Sequence, residues 1–335
     1  MMQTKTAGPG SFSGFDLSSV PSPCFVTDMA RLEDNLRLLN AVTEASGAHI
    51  LTALKAFSLW STAPLVSRYL AGACASGLYE ARLARAHYSG LLSCFSPAYK
   101  TDEMDELAGL CDHIIFNTPQ QISRFSGQAT AQGAELGLRV NPCLPQVEVE
   151  KYDPAAPRSR LGTPVSQLAD YHFDQISGLH IHSLCEQGFS ELANVIDVVK
   201  PLLDRAGGRL SWLNLGGGHM ITAPDYDREA LINCLCDLKQ RYDLDIYLEP
   251  GTAIAFDAGI LVGEVMDIME NDGPIAILDI SATCHMPDVL EAPYRPALLA
   301  EADTGNGVLV RLSGPSCLAG DVIGDYWFGQ LPVPS

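Results

Sequence analysis

Eight short apolar runs with amphipathic stretches between them constrain this chain more than any single residue does. They lie at 50–54, 70–75, 91–95, 113–117, 136–141, 176–182, 210–216 and 246–249. Between them the apolar period is that of a helix, as in Asp28 followed by Leu32, Leu36, Leu39 and Val42, where Asp28 is placed to cap the first turn. Such alternation reads as repeated βα units. Eight parallel strands, each followed by a helix, close into a (β/α)8 TIM-type barrel whose functional groups gather where the strands end.

The unusual residues fall at those ends. Lys55 follows the first run, and Ser76 and Glu80 follow the second. Asn117 ends the fourth, Arg139 and Asn141 the fifth, and His182 the sixth. Gly216, Gly217 and Gly218 close the seventh, and Glu249 ends the eighth. After Gly251 the chain changes to β-rich runs at 260–268, 275–280, 308–312 and 326–328, a pattern of antiparallel strands. The expected fold class is α/β: a flexible leader over 1–20, the barrel over 21–258, and a mostly antiparallel β-domain over 259–335.

Composition narrows the function classes. The hydrophobic content of 47% is that of a globular protein, and no apolar run reaches the roughly 20 residues that span a bilayer. The leader holds Lys5 but no apolar segment of signal-peptide length, so the expected location is the cytoplasm. Ten cysteines without a CxxC pair read as reduced thiols. A net charge of −19 disfavours nucleic acid and anionic membranes, favours cationic ligands, and also serves solubility.

An ammonium ending a buried strand, as at Lys55, is costly unless paired, solvated or used chemically, and a desolvated lysine is what Schiff-base chemistry requires. A lysine that snorkels to solvent fits the same position. The glycine triplet lets backbone N–H groups approach an anion such as phosphate, and it also suits a plain tight turn. Glu249, before Pro250 and Gly251, aims a carboxylate at the rim, where it would keep a pyridine nitrogen protonated; a capping or salt-bridged glutamate is the other reading. His180 and His182 share a strand face. His182, nearer the end, suits flat stacking on an aromatic cofactor, with a core histidine or half of a metal pair as alternatives. Lysine, glycine turn, carboxylate and imidazole together match the requirements of pyridoxal 5′-phosphate, and no metal is expected.

The chain resembles the fold-type III pyridoxal-phosphate decarboxylases, which are alanine racemase/ornithine decarboxylase-like, and within them the carboxynorspermidine/carboxyspermidine decarboxylase family. The segments that carry the resemblance are Ala-Leu-Lys-Ala-Phe at 53–57, Ala-Ser-Gly-Leu-Tyr-Glu-Ala-Arg at 75–82, Gly-Leu-His-Ile-His-Ser-Leu-Cys-Glu at 178–186, Asn-Leu-Gly-Gly-Gly-His at 214–219, Leu-Glu-Pro-Gly at 248–251, and two longer stretches at 278–291 and 314–321. The last two are the most discriminating. The resemblance implies decarboxylation of carboxynorspermidine or carboxyspermidine to norspermidine or spermidine in polyamine biosynthesis, by a homodimer with shared active sites.

It assigns Lys55 to the cofactor aldehyde, His182 to the ring stack, Gly216, Gly217 and Gly218 to the phosphate, and Glu249 to the pyridine nitrogen. Ser76 and Glu80 are counted with the cofactor site. Cys317 takes reprotonation or the carboxylate site, and Cys317 and Asp321 reach the neighbour's cofactor. Thr252, Asp288, Glu291 and Asp321 are the substrate-binding candidates, since spaced carboxylates suit spaced ammonium groups. Where the family usually reads Glu-Pro-Gly-Glu, this chain carries Thr252. The family also continues into further strands bearing a tyrosine, so an incomplete, truncated β-domain is expected here. Other readings are a diaminopimelate, ornithine or arginine decarboxylase, a noncatalytic cofactor-binding homologue, and a metal-dependent hydrolase using His180, His182 and Glu249. The two polyamine substrates differ by one methylene, worth only about 1–3 kcal/mol in a pocket, so the sequence does not separate them.

Overall fold

The computed structural model describes residues 2–3, 10–299 and 301–334. The chain divides into two compact units, 32–256 and 1–31 together with 257–335. In the first unit the apolar runs become the strands β1 His49–Ala53, β2 Gly72–Ala75, β3 Leu91–Phe95, β4 His113–Phe116, β5 Glu135–Asn141, β6 Gly178–His180, β7 Trp212–Asn214 and β8 Asp245–Leu248. Each pairs in parallel with its successor. The ring closes where Tyr247 and Leu248 of β8 lie opposite His49 and Ile50 of β1. The apolar character of the runs follows, because a parallel sheet of this kind is covered on both faces.

The helix Met29–Ser46 buries Leu32, Leu36, Leu39 and Val42, as the 3.6 period requires. Asp28 caps it by accepting N–H groups from Ala30 at 2.9 Å and Arg31 at 3.0 Å. One βα unit departs from the expected alternation. Between β5 and β6 the chain forms only short 3-10 turns and the two-residue strand Thr163–Pro164, which pairs in parallel beside the end of β5. Pro142, Pro145, Pro154, Pro157 and Pro164 lie in this segment and remove the donors a helix would use. Asn117 and Asn141 lie at their strand ends as expected, and there they hold this loop. The Asn117 amide reaches the Arg160 carbonyl at 2.9 Å, and that of Asn141 reaches the Leu161 carbonyl at 3.0 Å.

Trp212 fills the barrel interior with Leu51, Ile115 and Tyr247. Its indole lies flat against His113 at 4.5 Å and donates to Glu135 at 2.9 Å. A Cβ on Gly178 would lie 2.0 Å from the Trp212 ring and one on Gly137 2.3 Å from it, so two strands carry glycine to admit one indole.

In the second unit β9 Gly259–Val262 precedes a four-stranded sheet ordered β10 Val265–Glu270, β11 Pro274–Leu278, β12 Val308–Ser313 and β13 Val322–Phe328. The outer pairs are antiparallel and the β11–β12 pair is parallel. Ala276, Leu278, Val310, Leu312, Ile323 and Tyr326 form its core. Cys24–Thr27, expected with the barrel, is a strand paired antiparallel to β9, which satisfies its backbone groups and assigns it to this unit. Of the expected leader, residues 1 and 4–9 lie outside the described residues, while Gly10–Gly14 and Leu17–Ser19 form 3-10 turns. Among the described residues no helix is long and apolar enough to cross a membrane.

Candidate active site

The carboxyl end of the barrel is built around Glu249. The residue follows β8, its backbone N–H donates to the Gly216 carbonyl at 2.7 Å, and its side chain is buried at 4% exposure. One carboxylate oxygen accepts the Asn214 amide at 2.7 Å and the other faces His180 Nε2 at 3.3 Å. Asn214 is itself oriented, because its Oδ1 accepts the Gly216 N–H at 2.8 Å. Burial by itself pushes the Glu249 carboxyl up. The His180 ring, the Asn214 amide and nearby Lys55 outweigh it and hold the carboxyl below its ordinary value. Burial pushes the His180 imidazole down, so the pair is a neutral ring donating from Nε2 to a carboxylate.

His182 lies just past β6, half-buried, with Nδ1 accepting the Gly217 N–H at 3.3 Å. Burial, reinforced by Lys55 and Arg139, drives its pKa well below the usual histidine range and keeps the ring neutral. Arg139 in β5 donates to the His182 carbonyl at 2.7 Å and stands 4.3 Å above the Phe95 ring. Burial lowers the Arg139 pKa to about 10. Sequence reasoning placed Arg139 on the rim without giving it a role, and it missed Asn214 and Phe95. Strand alternation was the available signal for Asn214, which shares a face with Gly216.

The glycine triplet is explained first by packing. Gly216 and Gly218 have φ of 68° and 83°, and a Cβ on Gly217 would lie 2.3 Å from the Glu249 carbonyl. The Gly216 and Gly217 N–H groups donate within the chain to Asn214 and His182. Lys55 sits in the turn after β1, where the Ala53 N–H donates to the Pro250 carbonyl at 3.3 Å and ties that turn to the residue after Glu249. Lys55 is exposed within the chain, as a lysine that reaches solvent from a strand end would be. Ser76 is exposed, and its N–H donates to Glu80 at 2.7 Å, an arrangement that caps the loop after β2. The Thr252 hydroxyl donates to Glu186 at 3.3 Å. His180, His182 and Glu249 bring potential ligand atoms within 4.8 Å of one another.

In the second unit Cys317 lies exposed on the loop before β13, and Asp288 and Glu291 are exposed on the short helix Asp288–Glu291. Asp321 differs from expectation. It is buried, accepting the Ser281 hydroxyl at 2.7 Å and the Ala282 N–H at 2.9 Å. Those bonds lie within its own unit.

No family model matches the chain. It is 38% identical over 323 residues to the carboxynorspermidine/carboxyspermidine decarboxylase of Campylobacter jejuni, covering 93% of this chain and 84% of that protein. It is 37% identical to the carboxyaminopropylagmatine decarboxylase of Synechocystis, covering 94% and 82% of the two chains. The crystal structure of the Campylobacter jejuni carboxynorspermidine decarboxylase with norspermidine superposes with a TM-score of 0.84 at 35% identity, over 94% of this chain and 86% of that one. The Selenomonas ruminantium lysine decarboxylase shares the fold, with a TM-score of 0.77 at 18% identity over 95% and 86% of the two chains. A closed parallel barrel with a separate, mostly antiparallel sheet and these neighbours defines a fold-type III decarboxylase. Within that class, the chain belongs to the carboxynorspermidine/carboxyspermidine decarboxylase family.

Proposed function

We propose that the chain is a pyridoxal 5′-phosphate-dependent decarboxylase acting on an α-amino acid with a polyamine tail, carboxynorspermidine or carboxyspermidine. The observation that carries this reading is the buried Glu249 carboxylate, fixed by Asn214 and His180 beside Lys55 and His182 at the strand ends. The residues fit the cofactor chemically. Glu249 is ionised yet shielded, and each of its oxygens retains a second lone pair for a pyridinium N–H. His182 offers a neutral ring, and Lys55 supplies the amine. When bound, the cofactor supplies an electron sink for the carbanion left by loss of CO2.

The chain's own part is to place these groups. Glu249 holds a fixed negative charge where the sink must stay protonated. His182, pinned at Nδ1 by Gly217 and at its carbonyl by Arg139, presents its ring without titrating near neutral pH. Arg139 adds positive charge beside the site and favours a substrate carboxylate. Ser76, Glu80 and Gly218 are assigned to the cofactor's surroundings. Cys317 is assigned to returning a proton to the substrate carbon, and Asp288 and Glu291 to the distal amines. These three belong to the second unit and act within a homodimer, which we place in the cytoplasm.

A metal-dependent hydrolase has one observation in its favour, the proximity of His180, His182 and Glu249. Arg139 and Lys55 put positive charge beside these ligands, which opposes a dication.

The test is the visible spectrum of purified protein with and without added pyridoxal phosphate, followed by borohydride reduction and peptide mass spectrometry. It is paired with product analysis on carboxynorspermidine, carboxyspermidine, carboxyaminopropylagmatine, diaminopimelate, ornithine and arginine. A reduced adduct on Lys55 and release of norspermidine or spermidine support the reading. Absence of an adduct, or turnover of only the simple amino acids, contradicts it.

A further inference from the structure

We propose that the loop between β5 and β6 carries a binding site for a small organic phosphate, a phosphomonoester held by Arg158 and Arg160 in a cavity separate from the Lys55, His182 and Glu249 group. The cavity has a volume of about 540 Å³ and is lined by residues within 150–161 of this one loop. Sites for small molecules run from about 300 to 1,000 Å³, so the space suits an organic group as well as a phosphate.

The loop is built as a fixed frame. Asp153 is buried and accepts the backbone N–H groups of Gln146 at 2.8 Å, Val147 at 3.0 Å and Ala155 at 2.8 Å. Asn117, whose amide holds the Arg160 carbonyl, also accepts the Gly162 N–H at 2.6 Å. Pro154 and Pro157 fix two further backbone angles. Within this frame Arg158 is left-handed, with φ of 64°, an uncommon region for a residue that bears a side chain. Strain of this kind clusters where ligands are clamped.

Charge identifies the ligand. The chain has 40 acidic residues against 21 lysines and arginines, and its other arginines include Arg82 paired with Glu106, Arg85 with Asp112, Arg241 with Asp204 and Arg311 with Asp325. Arg158 and Arg160 are exposed, and among the described residues neither side chain has a hydrogen bond or an ion pair. Of the two acidic residues that line the cavity, Asp153 is bound into the frame, so Glu150 alone opposes an anion against these two guanidiniums.

A guanidinium fork matches phosphate oxygens in pairs, and two forks suit a dianion. Pro154, Pro157 and Leu161 supply apolar wall for the ester group. The positive charge of Arg160 adds to burial in lowering the Arg139 pKa, which places the pair at the same rim of the barrel as the active-site groups.

The test is calorimetric titration of the full chain with adenosine 5′-monophosphate, inorganic phosphate and adenosine, after borohydride reduction in the presence of pyridoxal phosphate so that the cofactor's own site is filled. Wild type should bind the nucleotide at one site per chain, bind inorganic phosphate more weakly, and not bind adenosine. Arg160→Gln and Arg158→Gly should each weaken nucleotide binding about tenfold to a hundredfold, the loss expected for a charge-assisted hydrogen bond, and the double variant should abolish it. Both residues are exposed, and glycine adopts the left-handed backbone without strain, so the variants keep the fold. No saturable nucleotide binding by wild type, equal binding by the double variant, or equal binding of adenosine would overturn the inference. If no adduct forms on Lys55, the decarboxylase reading fails, and the comparison of wild type with the arginine variants still decides this site.

Discussion

Acidification should loosen the barrel through His219, the residue that follows the glycine triplet. Its ring is buried at 1% exposure, Nε2 faces the Leu215 carbonyl at 3.3 Å, and Nδ1 has no partner. Protonation would therefore create a buried N–H with no acceptor, and burial lowers the His219 pKa from 6.5 to about 4. Between those values the unfolded chain binds more protons than the folded one. The contribution is thus complete above pH 6.5 and is lost as pH falls toward 4. The gap amounts to about 3 kcal/mol in full, of which about 2 kcal/mol is gone by pH 5. For a unit of this size that is a fall in Tm of about 4–8 °C between pH 7 and pH 5 from His219 alone. Burial also pushes His113, His180 and His182 down, and they act in the same direction, so the assay must isolate one residue. Scanning calorimetry of wild type and His219→Gln from pH 7 to pH 4.5 does so, because glutamine retains a donor for Leu215 and does not titrate. The variant should lose less Tm on acidification, whatever its offset at pH 7. Parallel Tm–pH curves for the two proteins would refute the reasoning.

Other substitutions test the remaining geometry. Lys55→Ala should abolish turnover and the borohydride adduct together; a normal rate in that variant would remove the residue from the chemistry. Glu249→Gln should lower kcat at least about tenfold with cofactor still bound, and should cost about 1–3 kcal/mol of stability by setting an amide donor against Asn214 or His180. An unchanged kcat would contradict the assigned charge. Gly178→Ala places a methyl 2.0 Å from the Trp212 ring and should destabilise the barrel by about 3 kcal/mol or abolish soluble expression; an unaltered melt would show that the indole has room to move.

Much of the barrel was legible because its signals are local. Each buried parallel strand must be short and apolar, and a Lys55, His182 or Glu249 at the end of such a run stands out against it. The helix Met29–Ser46 was legible for the same reason, since Asp28 and the leucine period lie within one stretch. The segment between β5 and β6 was misjudged although its prolines were in plain view. Cys24–Thr27 was assigned to the wrong unit because a short strand does not name its partner, and here the partner lies more than 200 residues away.

By itself, then, the sequence determined the kind of strands, their number and the chemical groups at their ends, since apolar periodicity and side-chain chemistry are properties of neighbouring residues. Only the tertiary structure decided which groups meet. Barrel closure brings Asn214 and His180 onto Glu249, sets Arg139 beneath His182, and turns Glu186 toward Thr252. It also shows Asp321, which as a sequence position looked free for substrate, buried in its own unit's hydrogen bonds. Hydrogen bonds and burial act over a few ångströms in space, and residues that far apart along the chain share that space only after the strands have closed.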